Sequence, residues 1–187
     1  NLVIPRGGEK LIEFVVNHSR IPIIKNDRGL VHVYVDSKAN LKMAEEIVFN
    51  AKTQRPSVCN AMETLLVHQD IAEKFLPKVF QSLSSKNVEW YCCDKSYSIL
   101  NSSIAGKTQK ASQTEMIHHA EKGQYDIEYG DFKISCRVVE SAEQALEHIA
   151  EHGSKHSEVI VTEDRALART FQRMVDAACV YWNASSR

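Results

Sequence analysis

Cys59 is the side chain whose surroundings best suit covalent chemistry. It lies in Thr53-Gln54-Arg55-Pro56-Ser57-Val58-Cys59-Asn60, a polar stretch containing a proline. A helical pattern over Ala39–Ala51 ends just before it, and the apolar run Thr64–Val67 follows. A thiol at such a junction can meet a substrate while both neighbouring elements hold it still, which suits a nucleophile. The bland alternative is a small buried hydrophobe, the usual fate of a structural cysteine. The other four cysteines fit that alternative. Cys136 alternates with Phe132, Ile134 and Val138 as on the inward face of a strand. Cys179 sits inside the apolar run Ala177–Trp182, and the vicinal Cys92-Cys93 reads as strand-end packing. Five is an odd number and the spacing shows no framework, so a reducing compartment is expected.

Histidines offer a second chemistry. His148, His152 and His156 are spaced by four and would share one face of a continuous helix, as metal ligands do. Gly153-Ser154 interrupts that helix first, and no acid or cysteine ligand is suitably spaced. The expectation is two surface histidines, one loop histidine and no metal. His118 and His119 are adjacent and diverge on a helix or a strand alike. Asp27, in the turn-rich Asn26-Asp27-Arg28-Gly29, reads as a turn aspartate.

The formal net charge is −1 with no basic block, which removes the electrostatic footprint of a nucleic-acid binder. No apolar run approaches the roughly 20 residues that span a bilayer, and there is no signal-peptide pattern. The chain begins with Asn1 rather than Met, so a piece of a longer polypeptide is expected.

The elements that must hold these residues read as alternating strands and helices. With 187 residues there is room for one domain with its own core. Helical spacing covers Lys10–Val16, Ala39–Ala51 and Asp164–Met174. Asp70 with Glu73, and Ser141 with Gln144, resemble capping boxes that open two more helices. Pro77 should kink or restart the first of these. Strands are expected at Ile21–Ile24, Val31–Val35, Thr64–Val67, Val88–Tyr91, Phe132–Val139, Glu158–Val161 and Ala177–Trp182. Asp94–Gln124 is polar and weakly periodic, a loop excursion with a short helix or a partly mobile segment. The class is α/β, a mostly parallel sheet covered on both faces.

Two long blocks carry a family resemblance. The first is Asn50–His68, with Thr53-Gln54-Arg55-Pro56-Ser57-Val58-Cys59-Asn60 at its centre. The second comprises Val139, Ala145, His148-Ile149, His152-Gly153-Ser154 and His156-Ser157-Glu158-Val159-Ile160. Leu2–Gly8 and the stretch Trp182-Asn183-Ala184-Ser185-Ser186-Arg187 agree with them. Together they resemble the gamma-glutamyl phosphate reductase family, a branch of the aldehyde dehydrogenase superfamily.

The resemblance implies a three-layer α/β/α sandwich of the aldehyde dehydrogenase catalytic-domain type. It implies that Cys59 attacks L-glutamyl 5-phosphate, that phosphate leaves, and that NADPH reduces the thioester to glutamate 5-semialdehyde for proline synthesis. The backbone N–H of Cys59 would be the first oxyanion donor. Glu128, in Glu128-Tyr129-Gly130-Asp131, resembles the carboxylate that holds the nicotinamide ribose; a solvated strand-start carboxylate is the alternative. Asn183, Ser185 and Arg187 match an Asn-Ala-Ser-Thr-Arg element, apart from Ser186, and would hold the substrate's amino acid group unless they form a simple post-strand loop. Oxidative relatives keep a water-activating glutamate where this chain has Lys25-Asn26-Asp27-Arg28-Gly29-Leu30. Its absence favours reduction over hydrolysis, unless Asp27 substitutes for it. Residues 1–16 would be a remnant of a cofactor-binding domain and residues 17–187 the thiol domain, inactive alone. The expected setting is cytoplasmic, with the missing domain of the same polypeptide as a partner and a homo-oligomer as an option. The parent would be a stand-alone reductase or a fusion with a glutamate kinase domain. The rivals are a non-catalytic interaction or regulatory module that keeps the fold, and an oxidative aldehyde dehydrogenase.

Overall fold

Strands rich in valine, leucine and isoleucine line up as a single parallel sheet. The computed structural model describes residues 1–7, 9–25, 28–105 and 114–187. In chain order the strands are β1 (Val31–Val35), β2 (Met62–His68), β3 (Glu89–Cys92), β4 (Ile117–His119), β5 (Lys133–Val139), β6 (Ser157–Val161) and β7 (Cys179–Trp182). Their order across the sheet is β4-β3-β5-β2-β1-β6-β7. Every pairing is parallel. β1 and β6 are buried at every position, as strands covered on both faces must be.

Alternate side chains sort the core into two layers, because successive strand residues point to opposite faces. Val33, Val35, Leu65, Val67 and Trp90 meet helices α2 (Leu41–Thr53), α3 (Gln69–Ser84) and α4 (Asp94–Ile104). Tyr34, Leu66 and Ile160 meet α5 (Ala142–His152) and α6 (Arg165–Met174). This is the three-layer α/β/α sandwich. Polar caps start the helices where the sequence changes character. Asn40 accepts from the N–H groups of Lys42 and Met43 to open α2, and Asp164 accepts from Ala166 and Leu167 to open α6. Ser141 accepts from Gln144 N–H at 3.3 Å, and Gln144 Oε1 answers by accepting from Glu140 N–H at 2.7 Å. α1 (Glu9–His18) stands apart, in an N-terminal segment that carries many exposed apolar side chains.

Several local expectations change. Ile21–Ile24 forms no strand; an isolated bridge joins Val3 to Ile23. Ile21 and Ile24 stay exposed, and Pro22 has no N–H to give a ladder. α3 runs through Pro77 without restarting, since Phe75, Leu76, Val79 and Phe80 on both sides of it are buried in one core. Its cap is His68, whose ring accepts from Asp70 N–H, so Asp70 lies inside the first turn. The helix expected within Asp94–Gln124 is α4, which buries Ser96, Leu100 and Ile104; residues 106–113 lie outside the described residues, and the strand β4 was not expected and extends the sheet. Cys179 is exposed, because β7 is an edge strand.

Candidate active site

The cleft that contains Cys59 lies at the amino ends of the strands. Cys59 falls between the end of α2 and the start of β2, in a loop tightened by an Ala61 N–H bond to Val58 O at 2.9 Å. Gly29 leads into β1 and touches the same loop. A Cβ there would stand 2.1 Å from Cys59 O and 2.5 Å from Cys59 Cα. Only glycine permits the two backbones to approach so closely. The Cys59 thiol is exposed. It opens into a cleft of about 880 Å³ bounded by Ile4, Arg6, Lys25, Arg28, Glu128 and His156, among others. Open α/β sheets usually bind ligands at their carboxyl ends; this cleft occupies the opposite edge.

The far wall of the cleft is held from behind by buried charge. Glu63 points from β2 into the interior, where Lys52 donates to it at 3.1 Å. Tyr129 N–H and Gly130 N–H also donate to the Glu63 carboxylate, each at 3.3 Å. Lys52 donates further to Met62 O at 3.0 Å. Burial pushes the Glu63 carboxyl up to about 7, against the pull of Lys52 and the two backbone donors. Burial likewise pulls the Lys52 ammonium down, with Glu63 opposing. The pair fixes residues 129 and 130, and so the adjacent Glu128.

A histidine cluster supports the other wall. His32 in β1 is fully buried, and its Nδ1 lies 3.0 Å from Glu158 Oε2. His148 is buried too, with its ring edge-on to His32 and Tyr125. The expectation of a surface His148 is therefore corrected: α5 turns this residue toward the sheet. Arg137 lies 2.9 Å from His148 Nδ1. A guanidinium only donates, so Nδ1 is the acceptor and the ring is neutral with its proton on Nε2. Burial is the main cause that pulls His148 down to about 2, with His32, His152 and Arg137 adding to it. His152 is half-buried and meets Asp126 at 2.7 Å, while Arg28 donates to Asp126 O at 3.3 Å. Among the described residues no group of three or more His, Cys, Asp or Glu is placed to hold a metal ion, and no helix is long and apolar enough to cross a membrane.

The residues singled out from sequence divide into two groups. Cys59 and Glu128 line the same cleft. Asn183 lies elsewhere, with a left-handed φ of 51°. Its side chain accepts from Thr162 N–H and donates to Thr162 O, both at 3.0 Å. Ser185 and Arg187 grip the Cys59 loop from outside the cleft, through Asn50, Gln54 and Asn60. Asn26 and Asp27 lie outside the described residues. Sequence reasoning overlooked Gly29, Asn60, His32 and the Lys52–Glu63 pair. A charge inside each of two apolar patterns, α2 and β2, was the available signal for the pair.

The fold is the α/β/α fold of aldehyde dehydrogenases. A propionaldehyde dehydrogenase of Rhodopseudomonas palustris shares the fold at a TM-score of 0.70 with 15% identity, over 99% of this chain and 46% of that one. The gamma-glutamyl phosphate reductase of Thermotoga maritima superposes on the whole chain at a TM-score of 0.89 with 40% identity, covering 42% of that structure. In sequence, the gamma-glutamyl phosphate reductases of Clostridium tetani and Thermus thermophilus are 48% and 42% identical over 187 residues. The chain spans 43% and 42% of the length of those two relatives. No protein-family model matches it.

Proposed function

We propose that this chain is the thiol-bearing part of an enzyme that reduces L-glutamyl 5-phosphate to L-glutamate 5-semialdehyde and phosphate, in proline biosynthesis. The observation that carries the reading is an exposed thiol opening onto a cleft with Arg6, Lys25 and Arg28 on its walls. Those cations suit a substrate that carries a phosphoryl group, since guanidinium and ammonium groups bind its oxygens and offset its charge.

In this mechanism the Cys59 thiolate attacks the acyl carbon and the C–O bond to phosphate breaks, its electron pair leaving with phosphate. The Cys59 N–H donates to the carbonyl oxygen as charge builds there. A nicotinamide cofactor, NADPH in our reading, supplies hydride to the resulting thioester when bound. The tetrahedral adduct on sulfur then collapses, releasing the aldehyde and returning the thiolate. Glu128 is the group to hold such a cofactor. Its exposed carboxylate stands on the same cleft as Cys59, and a carboxylate accepts from vicinal ribose hydroxyls. Lys25–Leu30 contains no glutamate to activate water, which supports the reductive direction. Residues 1–16 we assign to a cofactor-side domain and residues 17–187 to the thiol domain. Five free cysteines support a reducing, cytoplasmic setting.

The test is Cys59→Ser in the full-length protein. Reduction should fall to background, and the unsubstituted enzyme should oxidise the semialdehyde only when phosphate is present. Activity near that of the parent in Cys59→Ser, or equal oxidation rates with and without phosphate, refutes the mechanism.

A further inference from the structure

The loop that carries Cys59 is tied down by a short segment far away in sequence, Ser185 to Arg187. Arg187 Nε donates to Gln54 Oε1 at 3.1 Å, and its Nη1 donates to Asn60 Oδ1. Asn60 Nδ2 in turn donates to Ser186 O at 2.7 Å. Ser185 Oγ donates to Asn50 Oδ1 at 2.7 Å and accepts from Arg187 N–H at 3.1 Å. One planar guanidinium therefore joins the two ends of the loop, with the nucleophile between them. The carboxamide next to Cys59 has both its oxygen and its nitrogen engaged by that segment.

Resting on the reading of Cys59 as nucleophile, we propose that Asn60 and Arg187 are positioning residues: they brace the loop so that the thiol stays presented to the cleft. Gly29 holds the loop from the β1 side through backbone contact. Asn60 and Arg187 link it to the segment that follows β7. Neither Arg187 nor Ser185 is part of the cleft lining, so both act through the loop rather than on the substrate. The brace needs arginine in particular. Its rigid fork reaches two acceptors at once, whereas a lysine ammonium is a point charge on a flexible stem. Attack by sulfur is fast only from a narrow range of positions, and a misplacement of about 1 Å costs on the order of a hundredfold in rate.

The experiment compares Arg187→Lys and Asn60→Ala with the parent, as full-length protein for both kinetics and amide exchange. Gln54→Ala, at an exposed position, removes only the outer anchor and guards against a loss of folding in the other two. In Arg187→Lys and Asn60→Ala, kcat should fall about tenfold or more while KM for the acyl phosphate stays within about twofold. Amides of residues 58–61 should exchange about tenfold faster, and Gln54→Ala should shift both readouts the same way by less. A raised KM with unchanged kcat would make Arg187 a substrate contact and overturn the proposal. Unchanged exchange at residues 58–61 would overturn it as well. If Cys59→Ser stays active, the nucleophile assignment fails, whereas the exchange result still reports on the brace alone.

Discussion

At the scale of single residues, the site depends on one close approach. Gly29 and Cys59 meet backbone to backbone, and no rotamer can relieve a methyl group placed 2.1 Å from Cys59 O. Gly29→Ala must push the Cys59 loop away from β1. We expect a stability loss of roughly 1–3 kcal/mol in denaturant unfolding, in line with other overpacked sites. Activity of the full-length protein should drop by about a hundredfold. Site-resolved alkylation supplies the local readout. Cys59 and Cys179 are the two exposed thiols, so a changed rate at Cys59 against a constant rate at Cys179 reports displacement of the loop. Wild-type stability and kinetics in this variant would mean that the loop yields at no cost. Cys59 itself was legible in the sequence because a polar, proline-containing break sets it apart from regular patterns. Gly29 was not, because its requirement comes from a contact with a residue distant in sequence. Cys179 misled for a related reason: an apolar run does not say whether its strand lies at the centre or at the edge of a sheet.

At the scale of elements, β1, β5, β6 and α5 form a polar wall behind the cleft, and that wall should sense pH. His148, on α5, faces Arg137 from β5, His32 from β1, and Tyr125 and His152 beside it. Its folded value is pulled down to about 2, chiefly by burial, from an ordinary 6.5. The folded ring therefore stays neutral on acidification while the unfolded ring takes up a proton. Stability from this residue is complete above 6.5 and is lost progressively as pH falls toward 2. Between about pH 7 and pH 5 the loss should be about 2 kcal/mol. His148→Gln should flatten that part of the pH–stability curve. An unchanged slope in the variant would show that His148 gains a proton in the fold. The strands were largely legible from sequence, since a parallel sheet buried on both faces demands continuous apolar runs. The bounds of α4 were not, because only Ser96, Leu100 and Ile104 of its residues are buried, too thin a stripe among polar neighbours to place the short helix expected there. β4, at three residues, is too short to show a period. Ile21–Ile24 shows the converse: its apolar residues suit a strand, yet among the described residues no neighbouring strand covers them.

At the scale of the whole molecule, much of the exposed apolar surface lies in the N-terminal segment and along the cleft. Ile4, Phe14 and Ile24 are each more than half exposed, and Leu2, Leu11 and Ile127 lie near that value. Ile4, Ile24 and Ile127 border the cleft itself, beside Cys59. Single exposed apolar side chains are ordinary, but several on one side mark a surface suited to a partner. The chain spans 43% of the Clostridium tetani relative's length. Under the proposed function, hydride transfer needs a reductant held against the Cys59 thioester, and we propose that a second domain on this face shares its binding. The isolated chain should therefore fold and self-associate, with apparent mass rising with concentration in sedimentation. Replacing Phe14 and Ile24 by glutamate should suppress the association without unfolding the protein, because neither contributes to the buried core. Titration with NADPH should give no saturable binding. A concentration-independent monomer would mean that the exposed face needs no cover. Tight, saturable NADPH binding would place the whole cofactor site within residues 1–187 and overturn the division into a cofactor-side domain and a thiol domain.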